Sequence, residues 1–118
     1  MNIQLTINGQ VLSATLEDSA AARDFVALLP LTLDLEDYAS TEKIAQLPRK
    51  LSTAGAPAGI TPSIGDVTYY APWGNLAIFY KGSGHANGLV KLGHIKGDIQ
   101  VLRGRGPLKA HIGIAATH

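Results

Sequence analysis

The sequence predicts a mainly β fold, a compact antiparallel β-barrel with one principal α-helix. At least seven short segments are rich in β-branched and aromatic residues or alternate apolar with polar residues, and glycine-bearing turns separate them. Only one segment carries apolar residues at helical spacing. A sheet of this many short strands leaves few exposed edges when it closes into a barrel, which favours the barrel over an open sheet.

The first 16 residues predict a β-hairpin with Asn8-Gly9 as its turn. This dipeptide is the pair most compatible with the positive φ angles of a two-residue hairpin loop. The apolar residues of both strands then fall on one face. The pairs that face each other are Ile7 with Gln10, Leu5 with Leu12, and Ile3 with Ala14.

The next segment, "EDSAAARDFVALLP", predicts an amphipathic helix of about three turns. Asp18 or Ser19 is suited to cap its start, and Pro30 follows its end. We expect the helix to plug or cover one side of the sheet. Its apolar positions are Ala21, Phe25, Leu28 and Leu29.

After the helix, "LTLDLEDY" alternates with period two and predicts a strand. Asp34, Glu36 and Tyr38 share one side of this strand, which we interpret as a solvated face. "STEKIAQLP" allows a short helical turn from Ser40.

Residues 47–66 contain three prolines and three glycines without a sustained period. We interpret this stretch as a long ordered loop, because a linker here would leave two pieces too small to stabilise separate cores. A single domain over 1–118 is therefore expected. The predicted strands that follow are "DVTYY", "NLAIFY", "GLVKLGHI", "DIQVL" and "AHIGIAA".

Composition excludes several classes of function. The chain has no cysteine, so disulfides, a thiolate nucleophile and cysteine-ligated zinc are excluded. No apolar run approaches the roughly 20 residues of a membrane span, and no secretory leader opens the chain, so we expect a cytoplasmic protein without membrane association.

Charge is distributed unevenly along the chain. Residues 1–42 carry a net charge of −6 and residues 43–118 a net charge of +7. The basic residues of the second half are scattered apart from "RGRGPLKAH", and the two halves neutralise each other in a folded chain, so no nucleic-acid partner is expected.

The segment "GDVTYYAPWGNLAIFY", residues 65–80, holds the only tryptophan and three of the four tyrosines. Successive strand residues face opposite sides, so at least one of Tyr69 and Tyr70 is expected in the core, together with Phe79. Trp73 lies between Pro72 and Gly74, in a turn that is suited either to line the barrel rim or to pack.

The ordered series "LPLTLDLEDY", "EKIAQLP", "LST", "PSIGDVTYYAPWGNLAIFY" and "GLVKLGHI" resembles the bacterial cyclophilin-like family. The resemblance covers roughly residues 1–102 and is weaker from Arg103 onward. It implies a cyclophilin-type β-barrel, related in fold to peptidyl-prolyl isomerases. The Phe-His and Gln-Gly-Gly segments of true cyclophilins are missing from this sequence, so the resemblance does not bring their catalytic residues.

Two functions follow as hypotheses. The first is a non-catalytic binding module for a proline-containing peptide or a small molecule. The alternative is a peptidyl-prolyl isomerase, which needs an apolar proline pocket and a donor to the twisted amide. The sequence leaves the oligomeric state open. The candidate ligand-binding residues are Arg49 as the donor, Tyr70, Trp73 and Phe79 as pocket walls, and His94, which follows Gly93 in "KLGHI".

Metal and cofactor sites are not expected. His85, His94, His111 and His118 show no H-E-x-x-H pairing. The glycines of "RGRGP" lack the third glycine and the strand-to-helix context of a dinucleotide-binding motif.

Overall fold

Eight antiparallel strands close into a barrel in the computed structural model of the chain, which describes residues 1–104 and 106–115. The elements in chain order are β1 (Asn2–Ile7), β2 (Gln10–Leu16), α1 (Ala20–Ala27), β3 (Leu31–Tyr38), β4 (Glu42–Gln46), β5 (Gly59–Ile60), β6 (Asp66–Tyr70), β7 (Asn75–Phe79), β8 (Ala86–Asn87), β9 (Leu89–Lys96), a short 3-10 helix (Gln100–Arg103) and β10 (Leu108–Ile114). Around the barrel the order is β1-β10-β3-β4-β7-β6-β9-β2, and β2 pairs back with β1. The predicted fold class is confirmed.

The N-terminal hairpin forms with the predicted turn and register. Asn8 and Gly9 both have positive φ, 51° and 76° respectively, as a tight two-residue turn requires. The observed cross-strand pairs include Ile7 with Gln10, Leu5 with Leu12, and Ile3 with Ala14.

Helix α1 begins where the sequence predicts but is shorter than about three turns. The hydroxyl of Ser19 caps it by accepting a hydrogen bond from the Ala22 amide at 3.1 Å. Near its end the Leu28 amide turns back to the Phe25 carbonyl, three residues earlier, so the final turn tightens and the helix stops before Pro30. Phe25 is fully buried in the main core, so the helix covers part of that core as expected.

The short helical turn that the sequence allows from Ser40 does not form. Ala39 and Ser40 have φ of 55° and 53° and form the turn between β3 and β4. These left-handed angles are incompatible with starting a helix, and the residues that follow pair with β3 and β7 instead.

The predicted strand "DIQVL" is also wrong, because this segment forms the 3-10 helix. The Asp98 carboxylate accepts a hydrogen bond from the Gln100 amide at 2.9 Å and so favours a turn. The turn places Leu102 in the main core with no exposed surface. Burial of one leucine at this position outweighs the β propensity of the segment.

Residues 47–65 form a loop that is irregular except for β5, and Leu47 and Leu51 of this loop are buried in the main core. Both faces of the barrel wall are covered around β7, whose five residues are all buried. Inside the barrel lies the main core. Outside it lies a second apolar cluster, beneath the two-stranded ribbon of β5 and β8; it consists of Ala77, Phe79 and Leu89 with Ile44, Ile60, Tyr70 and Ala86 against them.

Among the residues that the structure describes, no helix has the length and apolar character needed to cross a membrane.

The Asn8-Gly9 turn generates a stability prediction. Gly9→Val should lower the free energy of unfolding by at least about 1 kcal/mol, because a β-branched residue resists the positive φ at this position. Urea unfolding measures the effect. Gly113→Val is the matched control, since Gly113 lies in β10, has open space around its Cβ direction and lacks a positive φ. Equal urea midpoints for the two variants would contradict the role assigned to the turn.

Candidate functional site

The turn between β6 and β7 presents Trp73 on the outer surface of the barrel. The amide of Gly74 donates to the Tyr70 carbonyl at 2.9 Å, and Gly74 takes a φ of 68° that suits glycine. The side-chain amide of Gln46 donates to the Trp73 and Gly74 carbonyls at 3.0 and 3.1 Å. The turn is therefore held from β4, while the indole stays 53% exposed.

Two tyrosines stand against the indole. The ring centroid of Tyr70 lies 5.3 Å from that of Trp73, with an angle of 85° between the planes. Tyr38, at the end of β3, lies at 5.6 Å and 81°. Both are edge-to-face arrangements, which stabilise aromatic pairs beyond their buried area. The two rings of the tryptophan turn thus meet a third ring, Tyr38, from a distant part of the chain.

These rings line a cavity of about 190 Å³ on the outer face of the barrel, which we call the aromatic cavity. Its wall is apolar apart from Glu42, Asn75, Ser83, the tyrosine hydroxyls and the indole N–H of Trp73. None of the described residues that line it is a lysine, an arginine or a histidine. The lining residues are Tyr38, Glu42, Ile44, Tyr70, Trp73, Asn75, Phe79, Ser83, Ala86 and Leu89.

Residues 81–88, which include β8, form one wall of the aromatic cavity, and we call them the outer strap. The Ala71 amide donates to the Gly88 carbonyl at 2.9 Å, which ties the outer strap to the tryptophan turn. A Cβ atom at Gly88 would lie 2.7 Å from Cδ of Pro72, and Gly88 has a φ of 82°. Glycine is therefore required for this close approach.

Two polar groups of the aromatic cavity are unusual. Burial raises the pKa of the half-buried Glu42 carboxyl, whose carboxylate takes part in none of the ion pairs among the described residues. Asn75 is only 5% exposed, and its side-chain oxygen accepts no hydrogen bond from the described part of the chain. Its side-chain nitrogen donates to the Leu76 carbonyl at 3.1 Å.

Three of the five candidate residues, Tyr70, Trp73 and Phe79, lie together in the aromatic cavity. The other two candidates, Arg49 and His94, are not among its lining residues. Arg49 is exposed in the loop after β4. Sequence reasoning missed Tyr38, Glu42 and Asn75, because their approach to Trp73 depends on the pairing of β3, β4 and β7.

The two adjacent tyrosines divide between core and cavity, as strand alternation predicts. Tyr69 points inward, is 1% exposed, and accepts a hydrogen bond from the Leu51 amide at 3.2 Å. Tyr70 points outward to the aromatic cavity. Trp73 also lines this cavity.

His94 makes a separate polar contact on the outer face. Its Nδ1 atom lies 2.8 Å from Oδ1 of the buried Asp66, and Nζ of Lys91 lies 3.7 Å from the same oxygen. The second carboxylate oxygen of Asp66 accepts from the Ser63 amide at 2.8 Å. The pair therefore joins β9 to the loop before β6.

A charged cluster closes one part of the barrel interior. Lys43 is 1% exposed; its Nζ donates to the Gly104 carbonyl at 2.8 Å and lies 3.4 Å from Oδ1 of Asp37. The Tyr80 hydroxyl donates to Asp37, and this hydrogen bond lowers the pKa of the Asp37 carboxyl. Burial raises the pKa of Tyr80 to about 12, and its bond to Asp37 acts in the same direction. Sequence hydropathy gives no signal that a lysine points inward here.

Comparison with known proteins supports the fold. The model of the cyclophilin-like family matches residues 5–113. The solution structure of a hypothetical protein from Archaeoglobus fulgidus is similar, with a TM-score of 0.69 and 14% sequence identity over 98% of this chain and 95% of that one. At this identity the likeness concerns the fold alone. No curated protein matches the sequence.

The Tyr80 hydroxyl generates a prediction about alkaline stability. Its pKa of about 12 lies above the ordinary value of 10.0, so its contribution to stability is complete below pH 10 and is lost as pH rises through 12. The free energy of unfolding should fall more steeply over this range in the natural protein than in Tyr80→Phe. Urea unfolding at a series of pH values measures the two slopes. Parallel profiles would contradict the assigned hydrogen bond.

Proposed function

Since the chain belongs to the cyclophilin-like family, we propose that it is a non-catalytic binding module whose aromatic cavity holds part of a peptide or a small ligand. The observation that carries this proposal is the meeting of Tyr38, Tyr70 and Trp73 around a concave, mostly apolar space. Apolar cavities with a few convergent polar groups are the usual form of a ligand site.

The size of the aromatic cavity limits what it can hold. Its volume of about 190 Å³ is below the roughly 300–1,000 Å³ that drug-sized ligands occupy. The cavity therefore suits one side chain or one small headgroup, such as a proline ring or a compact alkyl group. The remainder of a longer ligand would lie across the exposed indole and the neighbouring surface.

Binding without catalysis is favoured by the donors available. Prolyl isomerisation is accelerated only by groups that stabilise the twisted amide more than the planar one, and such a group is an N–H donor aimed at it. Asn75 supplies the only side-chain amide among the described lining residues, and one of its two N–H groups is bonded to the Leu76 carbonyl. The other donors in the wall are the Trp73 indole N–H and the hydroxyls of Tyr38, Tyr70 and Ser83, and none of them carries a positive charge. Arg49, the donor predicted from sequence, is not part of the cavity wall.

NMR spectroscopy of an Ala-Pro peptide tests both binding and catalysis in one sample. We expect peptide resonances to shift and broaden on addition of the protein, while cis–trans exchange stays at the uncatalysed rate. Trp73→Ala should weaken binding about tenfold or more, since an aromatic contact of this kind contributes on the order of 1.4 kcal/mol. Ile64→Ala is the matched control, because Ile64 is 50% exposed and lies outside the cavity wall.

The possible outcomes separate the two functions. Cis–trans exchange well above the uncatalysed rate that disappears in Trp73→Ala or in Arg49→Ala would indicate an isomerase and contradict the non-catalytic binding module. Acceleration that survives both substitutions would indicate a contaminating isomerase. Equal affinity of Trp73→Ala and Ile64→Ala would place the binding surface elsewhere and contradict the proposal.

A further inference from the structure

The aromatic cavity contains a carboxylate that forms no ion pair with the described residues. Glu42 reaches it from β4, and the described lining residues include no basic side chain. Any ligand that fills the cavity removes water from this carboxylate, and burial already disfavours the charged form of the group. A neutral ligand would not offset the free energy lost when water leaves the carboxylate, and an anionic ligand would add repulsion. A cation would offset this loss by its attraction to the carboxylate.

The aromatic walls favour a cation as well. The faces of tryptophan and tyrosine rings attract ammonium groups, most strongly where water is excluded. Trp73 is nearly perpendicular to both Tyr70 and Tyr38, so the rings form adjoining walls rather than a flat stack. Walls in this arrangement surround a compact cation from more than one side.

Asn75 provides an independent observation. Its side-chain oxygen is buried in the wall of the aromatic cavity and has no partner among the described residues. Buried carbonyl oxygens nearly always accept a hydrogen bond, so this residue of the cavity wall has an unused acceptor. One N–H of the same amide is bonded to the Leu76 carbonyl, so the unpaired atom of this side chain is its electronegative oxygen.

The charge pattern continues on the other side of the indole. A shallower depression next to the aromatic cavity shares Ile44, Trp73 and Asn75 with it and is also lined by Asp34 and Glu36. Asp34 forms an ion pair with Lys109, whose Nζ lies 3.9 Å from the Asp34 carboxylate on an exposed surface. The surroundings of Trp73 are therefore predominantly negative, which steers cations toward the site.

From these observations we infer that the aromatic cavity binds an organic cation, specifically an alkylated ammonium group. Glu42 supplies the counter-charge, Tyr38, Tyr70 and Trp73 supply the aromatic walls, and the Asn75 oxygen accepts from any N–H that the ammonium retains. The inference rests on the proposed function and names the ligand class of the same site. The group can belong to a free small molecule or to the end of a peptide side chain.

Titration with choline and with 3,3-dimethylbutan-1-ol, its neutral isostere, tests the inference. The two probes have the same shape and differ in the charge of one atom. Fluorescence reports binding directly, because Trp73 is the only tryptophan in the chain. We expect choline to bind the natural protein about tenfold more tightly than the neutral alcohol, a difference typical of a partly desolvated cation–π site. A peptide carrying trimethyllysine, titrated in parallel, distinguishes a side-chain source from a free one by its relative affinity.

Glu42→Gln keeps the shape of the side chain and removes its charge. It should weaken choline binding about fivefold or more and leave the alcohol unaffected. Glu17→Gln, at an exposed carboxylate outside the cavity wall, is the control and should change neither affinity. The comparison of the two probes on the natural protein does not depend on how well any variant folds.

Equal affinity for choline and the alcohol, or an unchanged choline affinity in Glu42→Gln, would overturn the inference and leave the binding module in place. If neither probe, nor the trimethyllysine peptide, nor an Ala-Pro peptide changes the Trp73 emission, both the inference and the proposed function fail.

Discussion

Closure of the barrel through β10 is the constraint on which the rest of the structure depends. This strand, near the end of the chain, pairs with β1 on one side and β3 on the other. Without it the N-terminal hairpin and the β3–β4 hairpin would both have open edges. Once the ring is closed, each strand has a fixed register, and every side chain faces either the main core or the outer surface.

Strand register alone would leave the outer surface of the barrel exposed to solvent, and over β3 this surface is largely exposed. Around β7 it is not, because residues 47–66 and the outer strap fold back over the barrel and bury a second apolar layer. The aromatic cavity lies where this cover ends, between the dry layer and the acidic face of β3. Its two chemical properties, aromatic walls and negative charge, follow from that position at a boundary.

The barrel has an apolar layer on its outer surface, and conversely it has a charged side chain in its interior, which is usually apolar in a barrel. Lys43 is buried at the inner face of β4, and its charge is tolerated because Asp37, Tyr80 and the Gly104 carbonyl surround it. Glu42, its neighbour in sequence, faces outward and has no such partner in the described part of the chain. Adjacent residues of opposite charge thus have opposite environments: the inner charge is neutralised within the fold, and the outer one is available to a ligand.

The amino-acid sequence by itself determined the features that depend on near neighbours along the chain. The Asn8-Gly9 hairpin, a helix cap at Asp18 or Ser19, and the alternation of Tyr69 and Tyr70 are set by turn chemistry and strand geometry. It also placed Tyr70, Trp73 and Phe79 in one candidate site, because they lie within ten residues of one another. Contacts between distant segments had no such local signal.

Only the tertiary structure decided that Tyr38 and Glu42 approach Trp73, that His94 pairs with Asp66, and that Arg49 lies outside the aromatic cavity. It also turned "DIQVL" into a 3-10 helix, since burying Leu102 outweighed local propensity. The physical reason is common to all of these: strand pairing between residues far apart in sequence selects which side chains meet, and short-range patterns carry no information about that choice.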